Sequence, residues 1–176
     1  MSAQRAGAAG EAIQSLAWEP LHASALVVGE AGVLVRGPSG SGKSALILAL
    51  IALARDRRLF AALIGDDRVL VAARSGRLLA RGAPEIRGLI ERRGFGVVTA
   101  DAEPCAALRL VVDLLPEPER VARLPDAAAL GVSLGGIALP RLSFDARSAT
   151  IERAHATLGY VDRTDDKNMT GIVHFA

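Results

Sequence analysis

The chain has 176 residues, 51% hydrophobic but only 3% aromatic, with 21 Lys+Arg against 19 Asp+Glu. That length suits one well-buried domain with a core of Leu, Val, Ile and Ala, and long apolar runs beside Ala/Leu helices favour an α/β layered fold. Balanced charge with a single Trp and a single Tyr gives no basic, aromatic-laced surface for nucleic acid, and no run reaches the ~18 apolar residues of a membrane span.

Residues 1–18 read as a flexible, small-residue lead-in without a secretory signal. Leu21 to Val28 alternates as a strand, Gly29 to Gly32 turns, and Val33 to Arg36 returns as its hairpin partner. After a glycine-rich loop, Ala45 to Ala54 is built of helix formers with no Gly or Pro. Leu59 to Ile64 is a strand ending at Gly65-Asp66-Asp67. Arg68–Ala73 and Arg77–Ala80 bracket Ser75-Gly76 as a hairpin. Glu85 to Ile90 suggests a short helical turn, and Phe95–Val98 and Leu108–Val112 two further strands. Pro116, Pro118 and Pro125 mark an irregular crossing segment. Val132 to Leu142 reads as a glycine-interrupted strand pair, Ala146 to Leu158 as an amphipathic helix, and residues 161–176 as a charged, loose tail. Cys105 is the one cysteine, so no intrachain disulfide can form; a reducing, cytoplasmic setting and a packed, inert thiol are expected.

The loop Gly37-Pro38-Ser39-Gly40-Ser41-Gly42-Lys43-Ser44 fits G-x-x-x-x-G-K-[ST] at every fixed position. Its glycines let the backbone aim N–H groups at phosphate oxygens. Lys43 reaches the β- and γ-phosphates of a nucleotide, Ser44 offers a hydroxyl to Mg²⁺, and the following helix turns its positive end to the anion. An apolar strand before the loop and a helix after it supply the context that a chance match lacks. ATP and Mg²⁺ are therefore the expected cofactors. Such a site needs a carboxylate at a nearby strand end. Asp113, closing Leu110-Val111-Val112, and the Asp66-Asp67 pair are equal candidates on pattern alone.

His22, the loop, the Asp66-Asp67 pair and Ile90-Glu91-Arg92-Arg93-Gly94-Phe95-Gly96-Val97-Val98 together resemble the HPr kinase/phosphorylase family, bacterial serine kinases acting on the phosphocarrier HPr. The last stretch follows the family signature L-E-[IV]-R-G-[LIV]-G-[LIV]-[LIV], with Arg92 where an aliphatic is usual. Glu85-Ile86-Arg87-Gly88 is a partial match that lacks the glycine and apolar pair, so Glu91 is the matching acid.

The resemblance implies a phosphate-loop HPr kinase-like domain over 19–160, a mixed twisted sheet around the phosphate-loop helix. It implies that Lys43 and the loop hold phosphates and that Ser44, Asp67 and Glu91 serve Mg²⁺. Either Asp66 or Asp67, with Asp67 favoured, takes the proton of the substrate serine. His22, otherwise read as a packed histidine, falls beside the phosphates. Arg93 either stabilises transferring charge or pairs with Glu91, and Arg123 falls where the family has a catalytic arginine. An HPr-like partner and a homo-oligomer, hexameric in the family, follow by the same resemblance. The chain departs from it in two ways. It resembles the short, catalytic-domain-only forms, and Leu139 to Asp145 lacks the Pro-Gly-Arg-Asn-like segment of the reverse, phosphorylase reaction. Rival readings are a nucleotide-sensing regulatory module and a small-molecule phosphotransferase related to phosphoenolpyruvate carboxykinase.

Overall fold

Short runs of Val, Leu, Ile and Ala place their strands at the centre of a mixed sheet, covered on both faces. The structure, a computed structural model, describes residues 17–165. Strands β1 (Glu19–Leu21), β2 (Ala23–Val28) and β3 (Ala31–Arg36) lead into helix α1 (Lys43–Asp56). They are followed by β4 (Ala61–Gly65), β5 (Val69–Arg74), β6 (Arg77–Gly82), β7 (Leu89–Arg92), β8 (Gly96–Thr99) and β9 (Ala106–Leu114). The chain closes with β10 (Gly131–Leu134), β11 (Ile137–Phe144) and helix α2 (Thr150–Asp165).

Among the described residues, nine strands form one sheet in the order β1-β5-β6-β9-β3-β2-β4, with β11 also on β9 and β10 on β11. The branch lies in β9. It runs parallel to β3, pairs antiparallel with β6 at Ala106 and Ala107, and turns parallel to β11 from Val111 onward. One edge thus serves two strands, so the sheet divides and curls. In β3, Val33 and Val35 pack with Leu46, Ile47, Leu50 and Leu158 of the helices. Leu34 points the other way, among Val69, Leu78 and Val111. Burial on both faces explains why β2, β3 and β4 read as continuous apolar runs rather than alternating ones. No helix among the described residues is long and apolar enough to cross a membrane.

Three elements differ from their sequence reading. The strand expected over Leu21–Val28 breaks at His22, because β1 leaves to pair with β5 while β2 stays between β3 and β4. The helical turn expected over Glu85–Ile90 shrinks to one 3-10 turn at Pro84–Ile86. Gly88 then adopts φ +75°, and Ile90 enters β7, which pairs with β8 as a separate hairpin. Long-range pairing and burial of Ile90 under α1 override the local helical preference. The last helix starts later and runs further than Ala146–Leu158, to Asp165. Its delayed start follows from Asp145, whose carboxylate accepts from the Arg147 N–H at 3.0 Å and holds a turn there. Residues 161–165 of the expected loose tail are therefore helical. The remainder of that tail and residues 1–16 of the lead-in lie outside the described residues.

Two glycines bring β6 against the end of β4, where the aspartate pair departs. A Cβ on Gly65 would stand 2.8 Å from Gly82 Cα, and one on Gly82 would run into the Ile64 carbonyl oxygen. Gly159 in α2 has open space around it. Gly82→Ala is expected to destabilise by about 1–3 kcal/mol through overpacking, whereas Gly159→Ala should stabilise by about 0.5–1 kcal/mol through helix propensity. Urea unfolding of both variants checks the pair; equal effects would remove the close-packing account.

Candidate active site at the phosphate loop

The loop between β3 and α1 turns on glycine. Gly40 and Gly42 have φ of +79° and +95°, values at which a side chain would be strained. Lys43 opens α1 and is 4% exposed. Its ammonium lies 3.3 and 3.4 Å from the Gly37 and Pro38 carbonyl oxygens, 3.3 Å from His22 Nε2 and 3.2 Å from Asp67 Oδ1. An ammonium cannot accept a hydrogen bond, so His22 Nε2 accepts here and the ring proton sits on Nδ1. The break between β1 and β2 is what leaves His22 at the mouth of the loop.

The adjacent aspartates diverge. Asp67 has φ +55°, a left-handed conformation that Asp tolerates better than most residues. Asp66 turns inward and is 6% exposed. It accepts a 2.6 Å bond from Ser24 Oγ, bonds of 3.0 Å to each oxygen from Ser44 Oγ, and one of 3.2 Å from the Glu91 backbone N–H. Asp67 turns outward, its side chain 53% exposed, and forms the ion pair with Lys43. Ser24 Oγ also accepts from the Asp67 N–H at 3.4 Å, so one hydroxyl steadies both residues.

A cleft of about 370 Å³ opens over this arrangement, lined by Ser39, Gly40, Gly42, Lys43, Ser44, Asp67, Glu91 and Arg93. Arg93 lies across the loop, since a Cβ on Gly40 would meet its Nη2 at 3.0 Å. Beside it, Arg92 sits 5.4 Å over the ring of Phe95. Pro38 and Ser41 face a second cleft of about 390 Å³ behind the loop. Arg123 is exposed in the crossing segment and lines neither cleft. The rival acid Asp113 is taken up by two guanidiniums, Arg36 at 2.7 Å to each oxygen and Arg141 at 2.6 Å, and it too lines neither cleft.

Two contributors escaped the sequence reading. Ser24 stands two residues beyond His22, and strand alternation places such a pair on one side; that signal was available. Arg153, whose Nη1 reaches the Ser41 carbonyl at 3.4 Å, carries no local signal, because it comes from α2 at the far end of the chain. Glu91 also contributes differently than its acid suggests, since its backbone N–H supports Asp66. Cys105 remains outside the site, and burial pushes its thiol pKa up despite nearby Arg81, in keeping with an inert thiol.

The donor set fits a nucleotide triphosphate with Mg²⁺. The buried ammonium of Lys43 satisfies itself on loop carbonyls that phosphate oxygens can replace. Ser44 donates its hydroxyl hydrogen bond to Asp66, and its oxygen keeps acceptor capacity at the cleft it lines. Among the described residues no three His, Cys, Asp or Glu side chains gather to hold an ion alone. Mg²⁺ takes one or two carboxylates and completes its shell with phosphate and water, and Ser44, Asp67 and Glu91 line the cleft where it would sit.

Fold and site together define an α/β phosphate-loop domain with paired carboxylates at the loop mouth. The family model of the HPr Serine kinase C-terminal domain matches residues 14–103, and the chain belongs to that kinase family. It is 31% identical over 173 residues to an HPr kinase/phosphorylase of Limosilactobacillus reuteri, covering 87% of this chain and 52% of that protein. It is 41% identical over 76 residues to the HPr kinase/phosphorylase of Mycoplasma mycoides, covering 43% of this chain and 22% of that one. The chain thus spans about half the length of the first and about a fifth of the second. The solved structure of the Hpr(Ser) kinase/phosphatase from Coxiella burnetii superposes with a TM-score of 0.66 at 23% identity, over 84% of this chain and 97% of that one. That likeness bears out the expected fold.

Behind the loop, Asp145 anchors the approach to α2. Its carboxylate accepts from the Arg147 side chain at 3.1 Å and from the backbone N–H groups of Arg147 and Val121. The Arg147 side-chain bond chiefly holds its pKa down, to about 2, below the usual carboxylate range. A lowered folded-state pKa contributes stability that is whole above the unfolded value near ~4 and fades as pH falls through about 2. Thermal melts between those pH values should show Asp145→Asn less sensitive to acid than the unmodified chain. Parallel slopes would show that Asp145 carries no such linkage.

Proposed function

We propose that this chain is an ATP-dependent protein serine kinase whose acceptor is an HPr-like phosphocarrier. The observation that carries the reading is the divergent aspartate pair. One carboxylate is locked onto the loop serine, and the other stands in the cleft beside the loop lysine. Family membership supports the reaction class, and the whole-length relatives are named HPr kinase/phosphorylase.

In this reading ATP would supply the γ-phosphoryl group, and a Mg²⁺ ion held on the Ser44 side of the loop would offset the charge of its phosphates. The loop N–H groups and Lys43 bind the phosphate chain. Ser44 and the Asp66 behind it hold the metal side, and Glu91, at the cleft wall, faces the same side. When phosphate oxygens draw the Lys43 ammonium away, Asp67 loses its ion-pair partner. It is then free to accept the proton of an incoming serine hydroxyl, a poor nucleophile until that proton is taken. His22 keeps Lys43 in line through Nε2. Arg93, over Gly40, supplies positive charge where the transferred group becomes exposed. The stretch Leu139 to Phe144, lacking the reverse-reaction segment, lies inside β11, so the forward reaction is the one proposed. The reading extends to a homo-oligomer, hexameric as the resemblance implies.

Incubation with Mg-ATP and purified HPr should place phosphate on a serine of HPr, read by mass spectrometry. Asp67→Asn is expected to lower turnover by about 10²–10⁴-fold while retaining nucleotide, and Lys43→Ala to lose nucleotide itself. No phosphoserine on HPr with a folded, ATP-binding sample would end the substrate assignment. A fully active Asp67→Asn would end the base assignment.

A further inference from the structure

We infer that Arg153, in the first turn of α2, is a positioning residue that holds the phosphate loop from behind, its buried charge neutralised by the phosphates bound in front. The inference rests on the loop being a phosphate site and does not depend on which hydroxyl accepts the phosphoryl group.

Arg153 is 7% exposed, yet no carboxylate pairs with it among the described residues. Its bonds go to two backbone carbonyls, Asp145 at 2.9 Å and Ser41 at 3.4 Å, and its Nε is buried without an acceptor. The nearest acid in sequence, Glu152, takes the Ala149 N–H at 3.0 Å on its carboxylate, and Asp145 spends its own on Arg147 and two backbone N–H groups. The contrast with Arg36 and Arg141 is direct, because those two share Asp113. A buried cation without a counter-charge is costly. Its persistence against the loop calls for an anion that arrives later.

Placement agrees with this. The guanidinium would be 3.8 Å from a Cβ on Gly42, so it lies against the Ser41–Gly42 peptide. In a planar trans peptide the C=O and N–H point in opposite directions. Holding the Ser41 oxygen from the rear therefore turns the Gly42 N–H toward the front, where Lys43, Ser44 and Asp67 line the cleft. The same guanidinium lines the second cleft together with Ser41 and Glu117. Arg153 thus acts through the loop: it orients one N–H and adds positive potential that the buried setting screens little.

The test uses the full chain, with pyrophosphate and ADP as probes, and compares R153Q and R153K by titration calorimetry and thermal melting. R153Q removes the charge. It should bind both probes about tenfold more weakly, as expected for one partly screened charge, while the free protein melts no lower than the parent. R153K keeps the charge but holds one carbonyl, and should weaken binding about threefold. In a turnover assay KM for ATP should rise with kcat little changed. Parent-like affinity in R153Q, or in R153K if R153Q does not fold, overturns the inference. So does a lowered melting point of free R153Q with unaltered binding, since that marks Arg153 as packing alone. An unmodified chain that binds neither probe removes the phosphate site and this inference with it. One that binds them but leaves HPr unphosphorylated touches only the proposed acceptor.

Discussion

A single buried carboxylate, that of Asp66, organises this structure. It is 6% exposed and carries no ion pair of its own among the described residues. Its charge is tolerated because donors converge on it from β2 through Ser24, from α1 through Ser44 and from β7 through the Glu91 N–H. A buried polar group left one bond short costs about 1–3 kcal/mol, and more when charged. Each donor is therefore under pressure to stay, and with each donor stays its secondary-structure element. The phosphate loop, the strand before the aspartates and the separate hairpin are registered on this one side chain.

That registration frees its neighbour. Because Asp66 is committed inward, the left-handed turn at Asp67 can deliver a second carboxylate outward without disturbing β4. Lys43 then stands between loop carbonyls, an imidazole and Asp67, all of them partners that a phosphate chain can replace. In the proposed reaction this is what couples nucleotide binding to the release of a base. In that proposal the roles divide between adjacent residues because burial treats them differently, although their side chains are identical.

The loop is held from two directions. In front, Arg93 at the tip of the β7–β8 hairpin lies over Gly40. Behind, α2 packs on α1 and presents Arg153 to the Ser41 carbonyl. The front support belongs to a two-stranded sheet joined to the body by Ile90 and Val98, by the Glu91 N–H on Asp66, and by the edge contact of residues 101–103 with Leu63. Elements with few buried contacts open most easily. The rear support comes from the helical core. The hairpin strands are mostly exposed, and in the proposed reaction that more open front would be the side from which a protein acceptor approaches.

By itself the sequence determined the phosphate loop, its flanking strand and helix, and the family, because these depend on local patterns: fixed glycine spacing, apolar runs, and a signature that folds as one hairpin. It left Asp113 and Asp66-Asp67 equal, since both are acids at the end of apolar strands and only the family resemblance chose between them. In the structure the two strand ends differ because Arg36 on β3 and Arg141 on β11 converge on Asp113 across the branched sheet. The strand break at His22, the hairpin over Glu91 and the reach of Arg153 from α2 were decided by tertiary structure alone. Each follows from pairing or burial between segments far apart along the chain, where local propensity carries no information.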